Sequence, residues 1–288
     1  MHDAIPQEFN ARQYRKHNPD LPDLRTKALR QHWQDHGLAA NRIASEISNR
    51  MQFMDKSLGH CQRMLEIGPF DKPSLERFRK PGVEIEYADY FTTDELRTRA
   101  SHALNRNPDK VPHIDYCLAN GFSQITSKYE AIISHHCVEH QPDLIAHFIN
   151  VLSALEDSGH YAFTAPHKLY CFDHFIPEST YLEVIVAHLE HRSRPSLRSV
   201  LETRCFSRHQ YQEALNPFRN ATTAMRRCID AAMNEYASKP YVDVHCWQFT
   251  PASLKNIVLN LSILGYLPQL NVRVFCLGAE FGCILSKA

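Results

Sequence analysis

The chain has 288 residues, 43% of them hydrophobic and 22% charged, an ordinary balance for a folded protein. Thirty-two basic residues cancel 32 acidic ones, and without a basic surplus neither nucleic acid nor an anionic membrane is expected as the main partner. Nine cysteines without a CxxC pair predict reduced thiols rather than a disulfide framework.

Residues 1–58 read as a polar helical segment. Two short helices are split at Asn18-Pro19-Asp20 and Pro22, Gly37 is placed to cap the second, and a third helix is expected from Asn41 to about Lys56. The N-terminus, MHDAIPQEFNARQYRKH, lacks the apolar core of a signal peptide. No apolar run approaches the roughly 18 residues that span a bilayer. The expectation is a soluble cytoplasmic protein.

From Cys61 short apolar runs alternate with helical stretches. Strands are predicted at Arg63–Ile67, Val83–Ala88, Ile114–Leu118, Ala131–Ser134 and Tyr161–Ala165. Helices are predicted at Ser74–Arg79, Asp94–Leu104 and Asp143–Leu155. This rhythm predicts an α/β fold with a parallel sheet covered on both faces. Residues 171–244 break it with helical patterns at Ser179–His191, Ser196–Cys205 and Phe218–Ser238. The rhythm resumes with a helix opened by Thr250 as N-cap and Pro251 at its first position, running to Leu264 and stopped by Gly265. Two runs, Val272–Leu277 and Phe281–Leu285, then suggest a hairpin. The organisation expected is a helical segment (1–58), a core (59–170), a helical insert or lid (171–244) and the last helix and hairpin of the core (245–288).

An open parallel sheet binds ligands at the carboxyl ends of its strands. The first such end is Glu66-Ile67-Gly68-Pro69-Phe70, and Gly68 stands out in a chain with nine glycines. The dinucleotide fingerprint GxGxxG and the phosphate loop GxxxxGKS/T are both missing, which argues against a nicotinamide or flavin enzyme. Asp89 ends the second strand about 20 residues after Gly68, where a carboxylate accepts ribose hydroxyls in such sheets. The alternative is a tight turn at Gly68 and a helix cap at Asp89.

The segments LEIGPF, YADY and YEAIISHHCVEHQPDLIAHFINVLSALEDSGHYAFTAP, with the terminal hairpin, resemble the class I S-adenosylmethionine-dependent methyltransferases. The resemblance covers about 60–170 and 245–288. It implies a Rossmann-like, doubly wound sheet of seven strands, parallel with a terminal antiparallel hairpin, and S-adenosyl-L-methionine as cofactor. It implies further that Glu66, Gly68, Pro69 and Phe70 hold the methionine end and Asp89 the ribose. The adenine side maps onto Leu118-Ala119-Asn120-Gly121, and His135 and His136 would lie under the sulfonium. One departure is plain: the usual glycine-rich first motif is reduced here to Gly68 followed by Pro69 and Phe70. Val138-Glu139-His140 is also typical of these enzymes, either tying the post-strand loop to the cofactor side or forming a helix-start network.

Pro166–Phe175 and Asp243–Pro251 resemble a bacterial subgroup that works beside glycosyltransferases in surface-polysaccharide chemistry. The N-terminal Asn18-Pro19-Asp20-Leu21 and Leu29–Leu38 are similar to small helical modules of glycan-processing enzymes, or match them by chance. The resemblance thus implies O-methylation of a sugar hydroxyl on a surface glycan or its precursor, with a glycosyltransferase as a partner. The competing readings are a methyltransferase for a small natural product and a catalytically silent scaffold.

A hydroxyl acceptor calls for a base, and histidine suits that task at neutral pH. His136, His167, His174 and His245 are the candidates. His167 follows the fifth strand, and His174 has Asp173 beside it. One of these two is expected to be the base, with His245 orienting the acceptor. No resident metal is expected, because HExxH and CxxC spacings are absent and adjacent strand histidines point to opposite faces. Arg192, Arg194, Arg198 and Arg204 either hold a phosphate or acidic sugar or form a solvated helix face.

Overall fold

The computed structural model describes residues 5–207 and 223–288. Its centre is a seven-stranded sheet: β1 (Arg63–Ile67), β2 (Glu84–Asp89), β3 (Tyr116–Cys117), β4 (Tyr129–His135), β5 (Leu155–Pro166), β6 (Leu270–Cys276) and β7 (Glu280–Lys287). The order is β3-β2-β1-β4-β5-β7-β6. Strands β1 to β5 pair in parallel, and β7 runs antiparallel to both β5 and β6. This is the Rossmann-like doubly wound α/β sheet with a terminal antiparallel hairpin.

Alternate residues of the central strands feed two cores, because successive strand side chains leave opposite faces. One face carries Leu65, Ile67, Ile132, Tyr161 and Phe163, packed with α5 (Leu144–Ser153) and α9 (Pro251–Ile263). The other carries Met64, Ala131, Ile133 and Ala162, packed with α3 (Arg50–Leu58) and α4 (Thr93–Ser101). On α5, Leu144, Ile145, Phe148, Val151 and Leu152 are all buried, and each contributes about 1.5–3 kcal/mol by leaving water. Asp143 caps α5 by accepting from Ala146 N at 2.9 Å. Thr250 and Pro251 open α9 as the capping rules require.

The third predicted strand shrinks to two residues because it is the sheet edge, pairing only through Ala88↔Tyr116 and Asp89↔Cys117. The fourth and fifth strands run longer than their apolar cores. The predicted helix from Asn41 begins only at Arg50: Asn49 accepts from Gln52 N at 3.0 Å, and a cap of this kind sets the first turn.

The N-terminal segment forms α1 (Ala11–His17) and α2 (Thr26–His32), continued by a wide turn over Trp33–Gly37. Gly37 is not a left-handed cap. It sits where the Tyr14 hydroxyl and the Trp33 ring leave no room for a Cβ. Phe9, Tyr14, Leu29 and Trp33 join the α5–α9 core, so the segment packs onto the sheet domain. Gly37→Ala is therefore expected to cost about 1–3 kcal/mol through overpacking, read as a lower thermal midpoint. An unchanged midpoint would show that this contact is looser than described.

Of the helices expected in 171–244, α6 (Tyr181–Leu189) buries Val184, Ile185 and Ala187 in the main core, beside α5 and α9. A smaller cluster joins α7 (Leu197–Leu201) to α8 (Thr223–Ser238) through Val200, Cys205, Ala232, Val242 and Val244. The start of the helix expected from Phe218 lies outside the described residues. Among the described residues no helix is long and apolar enough to cross a membrane.

Candidate active site

Strand order reverses between β1 and β4, so their carboxyl ends bracket the crevice where an open sheet takes its ligand. Gly68 leaves β1 at φ +73°, with nothing within 4 Å of the place a Cβ would occupy. The floor there is open. Behind it, buried Glu66 accepts from Ser74 N (2.8 and 2.9 Å) and Leu75 N (3.0 Å). Burial pushes its carboxyl upward, partly countered by those amides. Glu66 therefore shapes the loop from inside. Asp71 fixes the same loop from the other side by accepting from Arg106 at 2.7 Å and Asn107 N at 3.0 Å. Between them Pro69 leads into Phe70, which takes φ +45° under the Arg106 guanidinium.

Asp89, at the end of β2, is 8% exposed and accepts from Phe91 N at 3.1 Å. Burial pushes its carboxyl up to about 6, against the pull of backbone N–H groups from Phe91, Tyr90 and Phe70. Asn120 lies exposed after β3, in the turn before Gly121. At the end of β4, His135 is held between Thr164 Oγ1 (2.9 Å) and Ser74 Oγ (3.2 Å), and burial lowers it to about 3. His136 differs. Burial alone would lower it, but the nearby carboxylates of Glu139 (3.5 Å) and Glu280 (2.9 Å) raise it to about 9. Its Nε2 lies 2.9 Å from Glu280, which also pairs with Arg50. The neighbouring histidines are thus one neutral and one cationic.

A second polar wall is built where residues 241–249 return from the insert. Cys246 N donates to Glu139 O at 2.7 Å, and Trp247 Nε1 donates to Gln141 O at 2.6 Å. This brings His245 beside His140, ring centroids 4.9 Å apart and edge to face. His245 Nδ1 lies 2.8 Å from Asp173 Oδ2, both residues buried. Asp173 keeps its carboxyl below the usual range: burial works against the charge, and the bond to His245 overcomes it. Asp173 thus pairs with His245 and not with its chain neighbour His174. His174 turns Nδ1 to Cys171 O at 2.9 Å and stacks on Phe175.

His167 is fully buried, lowered to about 4 by burial, and accepts from Leu169 N through Nδ1 at 3.2 Å. That bond assigns its proton to Nε2, which is itself buried without a hydrogen-bond partner, so His167 offers no free lone pair to act as a base. Of the two histidines expected as the base, neither has the geometry that His245 has.

Val138-Glu139-His140 stood out in the sequence as a segment near the cofactor side, and Asp243 as part of the Asp243–Pro251 block, but the sequence did not join Glu139, His140 and Asp243 into one wall with His245. His140 Nδ1 lies 3.0 Å from Asp243. Burial disfavours the His140 charge, yet Asp243 and Glu139 raise it above its ordinary range. Glu139 is buried, with neither carboxylate oxygen hydrogen-bonded. The overlooked signal is His136-Cys137-Val138-Glu139-His140, a HxxEH spacing that marks some zinc enzymes when carried on a helix. Here it straddles a strand end and a short turn, so its two histidines diverge and His245 takes the vacant place beside His140. The insert arginines are spent on local partners: Arg192 on Glu190, Arg198 on Glu183 and Glu202, Arg204 on Glu235, and Arg194 over the Tyr236 ring. They form a paired face rather than a phosphate site.

No family model matches the chain, and no curated protein matches its sequence. Among solved structures it is similar to a Podospora anserina methyltransferase bound to SAH (10% identity, 99% of this chain and 89% of that one, TM-score 0.35). It is also similar to DhpI in complex with SAH (10%, 96% and 95%, TM-score 0.42). A third is the plantazolicin methyltransferase BpumL with SAH and a triazolic desmethylPZN analog (9%, 96% and 96%, TM-score 0.41). At identities near a tenth, none of these likenesses specifies a substrate.

Proposed function

We propose that this chain is an S-adenosylmethionine-dependent O-methyltransferase whose acceptor is a sugar hydroxyl of a surface glycan or its precursor. The observation that carries the reading is the pair of polar groups that flank the strand-order switch. A buried carboxylate, Asp89, and an open glycine floor, Gly68, lie at one side of the strand-order switch, and an oriented histidine–carboxylate wall lies at the other.

S-adenosylmethionine fits the first side. Asp89 accepts the ribose hydroxyls, Gly68, Pro69 and Phe70 border the methionine end, and Asn120 lies towards the adenine. Glu66 acts through the loop it holds. When bound, the cofactor supplies an electrophilic methyl group on a sulfonium. Neutral His135 is compatible with that positive charge, whereas cationic His136 needs Glu280 beside it.

On the second side, Asp173 keeps the proton of His245 on Nδ1, and Nε2 offers a lone pair to the acceptor. His245 takes the hydroxyl proton as the new C–O bond forms, the work of a positioned general base. Glu139, His140 and Asp243 supply the polar contacts that hydroxyl-rich ligands require. Tyr90 and Tyr241, half exposed and stacked 6.3 Å apart, offer aromatic faces of the kind that sugars pack on. The stretch 171–244 then serves as a cover for the acceptor, excluding water as lids do. A glycosyltransferase building the same glycan is the natural partner. The free thiols suit a reducing compartment such as the cytoplasm.

The test is methyl transfer from labelled S-adenosylmethionine to nucleotide sugars, isolated surface polysaccharide and small phenols or azoles. Label recovered as an O-methyl sugar is the expected result. Label confined to non-carbohydrate acceptors would move the substrate to natural products, and absence of cofactor binding by calorimetry would sink the enzyme reading altogether.

A further inference from the structure

Glu139, His140 and His245 each place one potential ligand atom within 4.8 Å of the other two. Four features separate this trio from an ordinary polar cluster. Glu139 is 1% exposed and neither of its carboxylate oxygens has a hydrogen-bond partner, an expensive state for a buried charge. His140 Nε2 stands 4.0 Å from Glu139 Oε1, a gap too wide for a hydrogen bond and suited to two ligands of one ion. One imidazole, His245, has a carboxylate hydrogen-bonded on its far nitrogen, Asp173 at 2.8 Å from Nδ1, while Asp243 stands 3.0 Å from His140 Nδ1 without making a hydrogen bond to it. That carboxylate–histidine arrangement is how metal-ligating imidazoles are usually oriented. Finally, His136 Nδ1 stands 3.5 Å from Glu139 Oε1 while its Nε2 is turned to Glu280 at 2.9 Å, so it leaves both Glu139 oxygens without a hydrogen bond.

We infer that Glu139, His140 and His245 form a binding site for one divalent cation of the first transition row. Two imidazoles and one carboxylate favour Zn²⁺, Mn²⁺, Fe²⁺ or Co²⁺ over Mg²⁺ or Ca²⁺, which prefer all-oxygen shells. A second trio, Cys171, Asp173 and His245, shares one ligand but is a poorer site. Asp173 and His245 are bonded to each other there, and burial pushes the Cys171 thiol up to about 12, away from the thiolate a metal needs. Cation binding stands on this geometry alone, and its consequence for catalysis rests on the methyltransferase reading. A cation on His245 Nε2 would take over from the imidazole by lowering the acceptor hydroxyl pKa directly. The hydroxyl proton would then leave to water.

The experiment is a titration of the chelator-treated full chain with CoCl₂, followed by visible absorption and calorimetry, with SAH affinity measured on the same samples. One Co²⁺ per chain with ligand-field bands is expected. Uptake should weaken about 10–100-fold in Asp173→Asn, which loses an outer carboxylate, and at least as much in Glu139→Gln and His140→Ala. If Glu139→Gln fails to fold, as judged by circular dichroism and its thermal midpoint, His140→Gln takes its place with the same expectation. No stoichiometric uptake, or uptake unchanged in the folded variants and therefore owed to other histidines, overturns the site. Uptake absent with SAH binding and methyl transfer intact overturns the cation alone. Uptake present with SAH binding absent overturns the methyltransferase reading and leaves the cation site standing.

Discussion

His245→Ala is expected to lower turnover about 10²–10⁴-fold, the range for a positioned proton-transfer group, with S-adenosylmethionine affinity unchanged. The split follows from location. His245 sits on the segment returning from the insert, tied through Cys246 to Glu139, whereas the residues assigned to the cofactor lie around β1 and β2. Its loss should therefore appear in kcat and leave the cofactor Kd alone. Asp173→Asn checks the same idea without emptying the space. An amide in place of the carboxylate can donate to Nδ1, which would put the imidazole proton on Nε2 and turn the base into a donor. Turnover should fall again, with the fold and cofactor binding retained. Near-normal turnover in both variants would mean that positioning of the acceptor suffices and that His245 takes no proton. His167→Ala is the control: its Nδ1 bond to Leu169 N assigns it a loop-capping role, so it should change stability more than turnover.

Asp89→Ala is expected to weaken S-adenosylmethionine binding by about 1.5–3 kcal/mol, the worth of hydrogen bonds to a charged acceptor, or roughly 10- to 150-fold in Kd. The pH dependence has a definite sign. The Asp89 carboxyl of the free protein, raised to about 6 by burial, is ionised above that pH and protonated below it. Ribose hydroxyls need the ionised acceptor, so affinity should hold from neutral pH down to about 6 and then decline about tenfold per pH unit. Asp89→Asn should remove that decline along with most of the affinity. Because the folded-state pKa is raised, ionised Asp89 opposes folding at neutral pH, so Asp89→Asn is not expected to be less stable. Calorimetry showing unchanged affinity, or an affinity indifferent to pH between 5 and 7, would remove Asp89 from the ribose site.

What the chain determines by itself lies within a few residues of each signal. Apolar runs of four to six residues located the central strands, since a strand buried on both faces has to be apolar throughout. Thr250-Pro251 opened α9, and Gly68 marked the end of β1, because caps and left-handed turns are settled by the side chains on the spot. Where a residue's role depends on what arrives from elsewhere, local rules say nothing. Asp173 had a histidine next to it in sequence and took one 72 residues away. Gly37 has the place of a cap in sequence, yet the Tyr14 hydroxyl is what demands it. The insert arginines looked available until Glu183, Glu190, Glu202 and Glu235 folded onto them. Most telling is Glu139. Its neighbours in sequence give no reason for a buried carboxylate without a hydrogen bond, and only the return of residues 241–249 over the turn at Val138–His140 seals it in beside two imidazoles. Desolvation is a property of packing, so the residues whose chemistry depends on it become visible only in the folded chain.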